Sequence, residues 1–349
     1  MFLLGKKLKR EINMSNNIIF SKYSSIENSY REKNIIKIES NTSPNLVWVG
    51  SEKIHGANFS FITNGIDVVC GKRSGFISKE ESFFSSHIVF EKYKDNVIIL
   101  FKMLKEHLNE TINQIQVYGE LFGGSSNNLI QSKISKVQDG VFYTPDLEFM
   151  GFDILINNQT FLPLSICNEY LSNVQIPICP ILVKGTLREC LKFSPKFLSE
   201  VAKSFGYNFE NNFAEGLVIR PFEEEIILAR NSERVILKNK YELFSENMKC
   251  RSYKEPKEIE NKGTLSEWIS EIKEKYINLN RYNSLVSKIG LEEVEMKNFG
   301  KILGMYLNDI LNDFVKDKEN EDIIDRDVSY MKGAITPFVR EFLLGIIRK

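Results

Sequence analysis

The sequence predicts an α+β domain of mainly antiparallel sheets with flanking helices, followed by a small all-α domain. Three observations carry this reading. Short alternating strands recur from Leu46 to Lys240, one long amphipathic helix interrupts them, and helical apolar periodicity takes over after Thr264. At 349 residues the chain is long enough for one large domain with an appendage, or for two domains. A hydrophobic fraction of 42% and a charged fraction of 26% match globular chains, so disorder is not the expectation.

Taken in order, NLVWV, ANFSFIT and DVVCGKR read as a meander, with Asn64-Gly65 joining the second and third strands through a tight hairpin. In SSHIVFEKYKDNVIILFKMLKEHLN, Val97, Leu100, Phe101, Leu104 and Leu108 fall at helical spacing. IQVYGELFGG is a strand ending in Gly123-Gly124, and EFMGFDILI and TFLPL flank the turn signal Asn157-Asn158. AEGLVIRPF and RVILKNK complete the strands, separated by an acidic bend through Glu223, Glu224 and Glu225. Apolar residues nearly vanish in KEPKEIENKGT, where Pro256 and Gly263 break regular structure. Thr264 and Glu267 then form a capping box ahead of Leu265, Trp268, Ile269, Ile272 and Tyr276. Phe299, Ile302, Leu303, Tyr306, Ile310 and Phe314 repeat the pattern, and Thr336 with Pro337 is expected to start a final helix carrying Phe338, Phe342 and Ile346. The expected organisation is an N-terminal extension at 1–18, a main domain at 19–253, a linker at 254–263 and a helical domain at 264–349.

Lys plus Arg and Asp plus Glu both total 46, so any nucleic-acid binding needs a local basic surface rather than overall charge. The five cysteines are scattered, odd in number and form no C-x-x-C pair, which favours a reduced, intracellular protein. With His55, His87 and His107 as its three histidines, the chain offers no close-spaced His/Cys zinc motif. MFLLGKKLKR places its short apolar run before its charges, the reverse of a signal peptide, and Met14 is a second possible start. No stretch is long enough for a membrane-spanning helix, so no membrane partner is expected.

The polar cluster in SEKIHGANFSF stands between two β-favouring segments. A lysine amine acts as a nucleophile only when deprotonated, and a single K-I-H-G is weak evidence, because most lysines are solvated surface charges. Similar intrusions recur downstream. Lys72 and Arg73 end one strand and face opposite ways, Glu120 interrupts another, and Phe152 with Asp153 interrupts a third. Glu215 opens EGLVIRP, and Lys238 and Lys240 lie on one face of the last strand. A nucleophilic lysine, phosphate-neutralising cations, carboxylates for a ribose or metal and an aromatic plate are what nucleotidyl transfer requires. Each member alone has an ordinary alternative: a packed Phe152, edge-strand charges at Glu120 and Glu215, a solvated Lys238/Lys240 face, and a structural His55.

In family order, EKIHGANF, CGKRSG, VYGELFGG, EFMGFDIL, AEGLVIRP and VILKNKYELFSE resemble the motifs of the covalent nucleotidyltransferases. Within these the chain is similar to the ATP-dependent RNA ligases of the bacteriophage T4 RNA ligase 2 type, which include the trypanosome RNA-editing ligases. FSKYSSIENSY near the start, and LNRYNSLVSKIG with KNFGKILGMYLNDIL in the helical part, extend the resemblance over nearly the whole chain. It implies the nucleotidyltransferase fold, ATP as AMP donor, Mg²⁺ or Mn²⁺, and RNA with 3′-OH and 5′-phosphate ends held in a nicked duplex. A monomer is expected, in the cytoplasm or inside a virus-infected cell, the compartment being the one the scattered cysteines favour. Lys53 would form lysyl-AMP, Phe152 would stack on adenine and Glu120 would hold the ribose. Glu215 would organise the metal, Lys238 and Lys240 would bind phosphate, and Lys72 would assist them. Glu52 and Ile54 would line the nucleotide site, with Glu52 acting through its backbone. Asn58, Arg73 and His55 would serve RNA binding or sealing, and Tyr23 matches an early family tyrosine. The helical domain would engage RNA ends. Two departures stand out: Ser51 where the phage-like enzyme has arginine, and Arg220 where lysine is common. A DNA ligase, an mRNA guanylyltransferase, or a non-catalytic RNA-binding protein using Lys249, Arg251, Lys254 and Lys257 remain the alternatives.

Overall fold

In a computed structural model of the chain, the described residues are 10–13, 17–78, 80–108, 111–124, 134, 136–228, 233–245, 265–318 and 323–348. The expected linker at 254–263 and the capping residue Thr264 lie outside them. The chain divides into two compact units, residues 1–240 and 241–349.

The first unit runs β1 (Arg10–Asn13), β2 (Ile18–Ser21), β3 (Glu27–Asn28), α1 (Glu32–Ser40), β4 (Trp48–Glu52), β5 (Ala57–Thr63), β6 (Val68–Lys72) and β7 (Gly75–Phe76). It continues with α2 (His87–His107), β8 (Ile115–Gly123), β9 (Leu147–Ile156), β10 (Thr160–Phe161), α3 (Leu164–Asn173), β11 (Ile181–Gly185), α4 (Leu187–Lys192) and α5 (Glu200–Ser204). It closes with β12 (Gly216–Pro221), β13 (Ile227–Leu228), β14 (Glu233–Arg234) and β15 (Leu237–Lys240). A six-stranded sheet has the order β10-β9-β8-β5-β6-β7 and a five-stranded sheet the order β11-β4-β12-β15-β3. All their pairings are antiparallel except β15 with β3. Residues 10–13, placed in the extension by the sequence, pair with β2.

The expected meander is corrected at its first strand. β4 joins the five-stranded sheet, whereas β5 and β6 belong to the six-stranded one. Lys53 to Gly56 is therefore a crossing between sheets rather than an interruption of a strand pair. The β5–β6 hairpin forms as expected, but its strands end at Thr63 and Val68. Its longer loop is held by the Asn64 carboxamide oxygen, which accepts from the backbone of Ile66 at 3.0 Å and Asp67 at 2.9 Å. Asn157 and Asn158 both adopt positive φ, 51° and 58°, which matches the twist of the β9–β10 turn.

Alternation decides which face of the six-stranded sheet is core. Ala57, Phe59 and Phe61 point one way and are fully buried. The Phe59 and Phe61 rings pack edge-on against Phe149 at 5.9 and 5.0 Å, and α2 covers them through Tyr93. Asn58 and Glu120, paired across β5 and β8, stand on the other face.

The second unit is helical, with α6 (Leu265–Lys275), α7 (Leu279–Ile289), α8 (Phe299–Asp317) and α9 (Asp325–Ile347). Ile272, Tyr306, Ile310, Phe314, Ile335 and Leu343 are buried in its core. The fully buried Arg281 is answered by Asp309 at 2.6 Å and Asp313 at 3.1 Å. The final helix starts at Asp325, not at Thr336, and carries Pro337 in its interior. Met331, Ile335, Val339 and Leu343, all buried on one stripe, continue across the proline, so core burial outweighs the one hydrogen bond it removes. Among the described residues no helix is long and apolar enough to cross a membrane.

Candidate active site

The ladder of the five-stranded sheet delivers Lys53. β4 pairs with β12, Glu52 opposite Leu217, and the Lys53 backbone N–H extends the pairing to the Gly216 carbonyl at 2.8 Å. Gly216 also faces Lys240 across β12 and β15. Three strands thereby gather Lys53, Glu215 and Lys240. The buried Glu215 carboxylate meets Lys53 Nζ through Oε2 at 2.7 Å and Lys240 Nζ through Oε1 at 2.7 Å. His55 Nδ1 stands 3.3 Å from Oε2, and its backbone N–H donates to Tyr143 Oη at 2.8 Å. Burial opposes ionisation of Glu215, but Lys240, Lys53 and His55 outweigh it and hold the carboxyl well below its usual range.

Two glycines make this geometry possible. A Cβ on Gly56 would lie 2.2 Å from the Leu121 carbonyl oxygen. Gly216 has φ +140°, and its Cβ would lie 2.1 Å from the Asn239 carbonyl oxygen.

The six-stranded sheet contributes Glu120, whose carboxyl is pushed up to about 7 chiefly by burial. Lys53 and Arg73 oppose that rise and Glu215 adds to it, so these side chains share one electrostatic neighbourhood. Arg73 also reaches Ser25 Oγ at 3.3 Å. Asn58 stands directly opposite Glu120. Phe152 occupies a bulge: Tyr118 faces Asp153 and Gly119 faces Gly151, which leaves Phe152 out of register and half-buried.

Other expected residues sit elsewhere. Lys72 lies opposite Phe59, on the α2 side of the sheet, where it pairs with Glu81 and lies 5.6 Å from the centre of the Phe83 ring. Ile54 is buried. The Glu52 side chain turns away to the start of α5, accepting from Ser199 Oγ at 2.6 Å and from the backbone of Glu200 at 2.8 Å and Val201 at 3.0 Å. Lys238 lies two residues before Lys240 on β15, opposite Val218. Ser51 is buried within β4.

Sequence reasoning missed a second cluster. The fully buried Asp153 carboxylate is shared by Tyr23, Arg220 and Arg234, and Glu225 closes the group. Tyr23, Asp153 and Arg220 were each visible, and a charged residue inside a strand demands a buried partner. Arg234 carried no local signal.

Two family models match the chain: RNA ligase over residues 46–240 and T4 RNA ligase 2 C-terminal over residues 260–335. RNA-editing ligase 1, mitochondrial, of Trypanosoma brucei brucei is 31% identical over 207 residues, covering 50% of this chain and 44% of that protein. RNA-editing ligase 2, mitochondrial, of Trypanosoma brucei brucei (strain 927/4 GUTat10.1) is 25% identical over 352 residues, covering 86% of this chain and 84% of that protein. The chain thus spans less than half of the first relative. Among solved structures, a mutant of Naegleria gruberi RNA ligase with ATP and Mn superposes with a TM-score of 0.44 at 15% identity, over 69% of this chain and 61% of that one.

Proposed function

The chain belongs to the RNA ligase family, whose model matches residues 46–240, and from that premise we propose that it is an ATP-dependent RNA ligase sealing 3′-OH and 5′-phosphate ends, with nicks in duplex RNA as its substrate. The observation that carries this reading is the convergence of Lys53, Glu215 and Lys240, with Glu120 in the same electrostatic neighbourhood. It supplies one nucleophile, a second cation for phosphate and carboxylates of two different characters.

The Lys53 amine, after losing its proton, attacks the α-phosphorus of ATP. A nitrogen–phosphorus bond forms, the bond to pyrophosphate breaks, and lysyl-AMP results. The RNA 5′-phosphate then takes the AMP and returns the amine. The 3′-OH attacks the activated phosphate, expelling AMP and closing the strand. Lys240 neutralises α-phosphate charge beside the nucleophile, with Lys238 on the same strand. Glu120, made easier to protonate by burial, suits hydrogen bonding to ribose hydroxyls. Phe152 offers its ring to the adenine, and Glu52 and Ile54 line the pocket through their backbone. Asn58, opposite Glu120, and Arg73 serve the RNA ends, and His55 steadies Glu215. Lys72, bound to Glu81, acts at most through the field of its charge.

Among the described residues no group of three or more acidic, histidine or cysteine side chains converges. The residue that would hold Mg²⁺ or Mn²⁺ is Glu215, whose carboxylate is kept ionised and is a hard oxygen donor, with phosphate and water completing the shell. Such an ion, when bound, supplies charge neutralisation on the phosphates. One chain carries every group these steps use, which supports action as a monomer. The scattered cysteines support a reducing compartment inside the cell.

The test is incubation with Mg²⁺ and α-labelled ATP or GTP, followed by denaturation. Wild type is expected to retain covalent label from ATP, and Lys53→Ala none; normal labelling of Lys53→Ala would sink the mechanism. Label from GTP alone points to capping, and no label with either nucleotide points to a binding protein. Nicked duplexes with RNA or DNA on each side of the nick then decide the substrate.

A further inference from the structure

The second buried cluster has no part in the chemistry above, yet it grips the residue next to Phe152. Asp153 Oδ2 accepts from Tyr23 Oη at 2.5 Å and from Arg234 Nη1 at 2.9 Å. Its Oδ1 accepts from Arg234 Nη2 at 3.0 Å and pairs with Arg220 Nη1 at 3.0 Å. On the far side Glu225 meets Arg220 Nη2 at 2.8 Å, and Arg234 Nη2 and Nε at 2.7 and 2.9 Å. Two guanidiniums are balanced by two carboxylates, and Asp153, Arg220 and Arg234 are all buried.

The cluster reaches Phe152 by two routes. Arg220 Nη1 also donates to the Phe152 carbonyl at 3.3 Å, fixing its backbone. The Tyr23 ring meets the Phe152 ring edge-on, with centroids 5.2 Å apart at 63°. Because Phe152 stands at a bulge, the strand ladder does not by itself fix its direction. Arg234 completes the support by lying over the Phe161 ring at 3.6 Å, with its guanidinium also 5.6 Å from the Tyr23 ring centre.

We infer that Tyr23 and Arg234 are positioning residues: by clamping Asp153 they set the pose in which Phe152 receives the nucleobase. This rests on the reading of the site as a lysine-adenylation centre. The fork of Arg234 spans both Asp153 and Glu225, which a single ammonium cannot reproduce bidentately. The Tyr23 hydroxyl contributes a charge-assisted hydrogen bond that phenylalanine lacks while keeping the ring.

The experiment measures single-turnover adenylation of Lys53 against ATP concentration in wild type, Arg234→Lys, Tyr23→Phe, Phe152→Ala and the two doubles with Phe152→Ala. Each positioning variant is expected to raise the half-saturating ATP concentration by on the order of tenfold, with the saturating rate held within about twofold. Inhibition by inorganic tripolyphosphate, which has no base to stack, should stay unchanged. In the Phe152→Ala background the further loss should vanish, because the group being positioned is gone. Equal losses with and without Phe152, a weaker response to tripolyphosphate, or wild-type ATP dependence in both variants would each overturn the inference. If wild type itself takes no label, the adenylation reading falls first; if wild type labels and the variants match it, only the positioning role falls.

Discussion

At the scale of single residues, the site pairs two carboxyls of opposite character. Glu215 is held ionised by its cations, whereas burial lifts Glu120 from 4.5 to about 7. Between those two values the folded chain binds the Glu120 proton and the unfolded chain releases it. Glu120 therefore favours folding below about pH 4.5, and that contribution is lost as pH rises through about 7. At about 1.4 kcal/mol per pH unit, the effect is at most ~3.5 kcal/mol. Glu120→Gln should accordingly gain stability relative to wild type at pH 8 compared with pH 5, read as the difference in thermal midpoints; a pH-independent difference would contradict the burial argument. Lys53, Glu215 and Lys240 were legible because each is a charge at the end of a strand-like apolar segment: Lys53 just after β4, Glu215 just before β12 and Lys240 as the last residue of β15. The direction of Lys72 was not. Its neighbour Arg73 fits the same pattern, and only the covering of the Phe59 face by α2 decides between them. The Asp153–Arg234 pair was also hidden, since 81 residues separate the partners and no local periodicity links them.

Among elements, the decisive one is the crossing from β4 to β5. The alternating segments on either side were readable, but their membership of different sheets was not. Adjacent strands usually pair, and only long-range pairing with β11 and β12 removes β4 from the meander. β12 is correspondingly sensitive at its first residue. Gly216→Ala would force a side chain into positive φ against the Asn239 carbonyl. It is expected to cost at least ~1 kcal/mol in denaturant unfolding and to reduce Lys53 labelling, because Gly216 sets both the Lys53 amide and the Lys240 register. Unchanged stability and labelling would mean the strand relaxes locally. Pro337 misled for the opposite reason: a strong local stop signal yielded to a buried stripe that continues past it.

For the whole molecule, the α+β and helical characters of the two parts were legible in the change of hydrophobic period near residue 264, a signal that survives without knowledge of packing, although the compact units divide at 240/241, short of the main-domain end expected at 253. Every group assigned to lysyl-AMP formation lies in residues 1–240, which have hydrophobic clusters of their own. A fragment of residues 1–253 should therefore still acquire label from ATP, while sealing of nicked RNA is expected to fall sharply without the helical unit. Loss of labelling in a folded fragment would show that the helical unit contributes to the first step. The Glu52 contact ties the site to a more distant part of this unit. The carboxylate beside the nucleophile caps a helix of only five residues through Ser199, Glu200 and Val201. A serine 147 positions away in sequence, touching none of the reacting groups, is thus a mechanical anchor for the lysine: losing its hydroxyl would release one oxygen of the Glu52 carboxylate, and the shared backbone would carry the slack to the nucleophile.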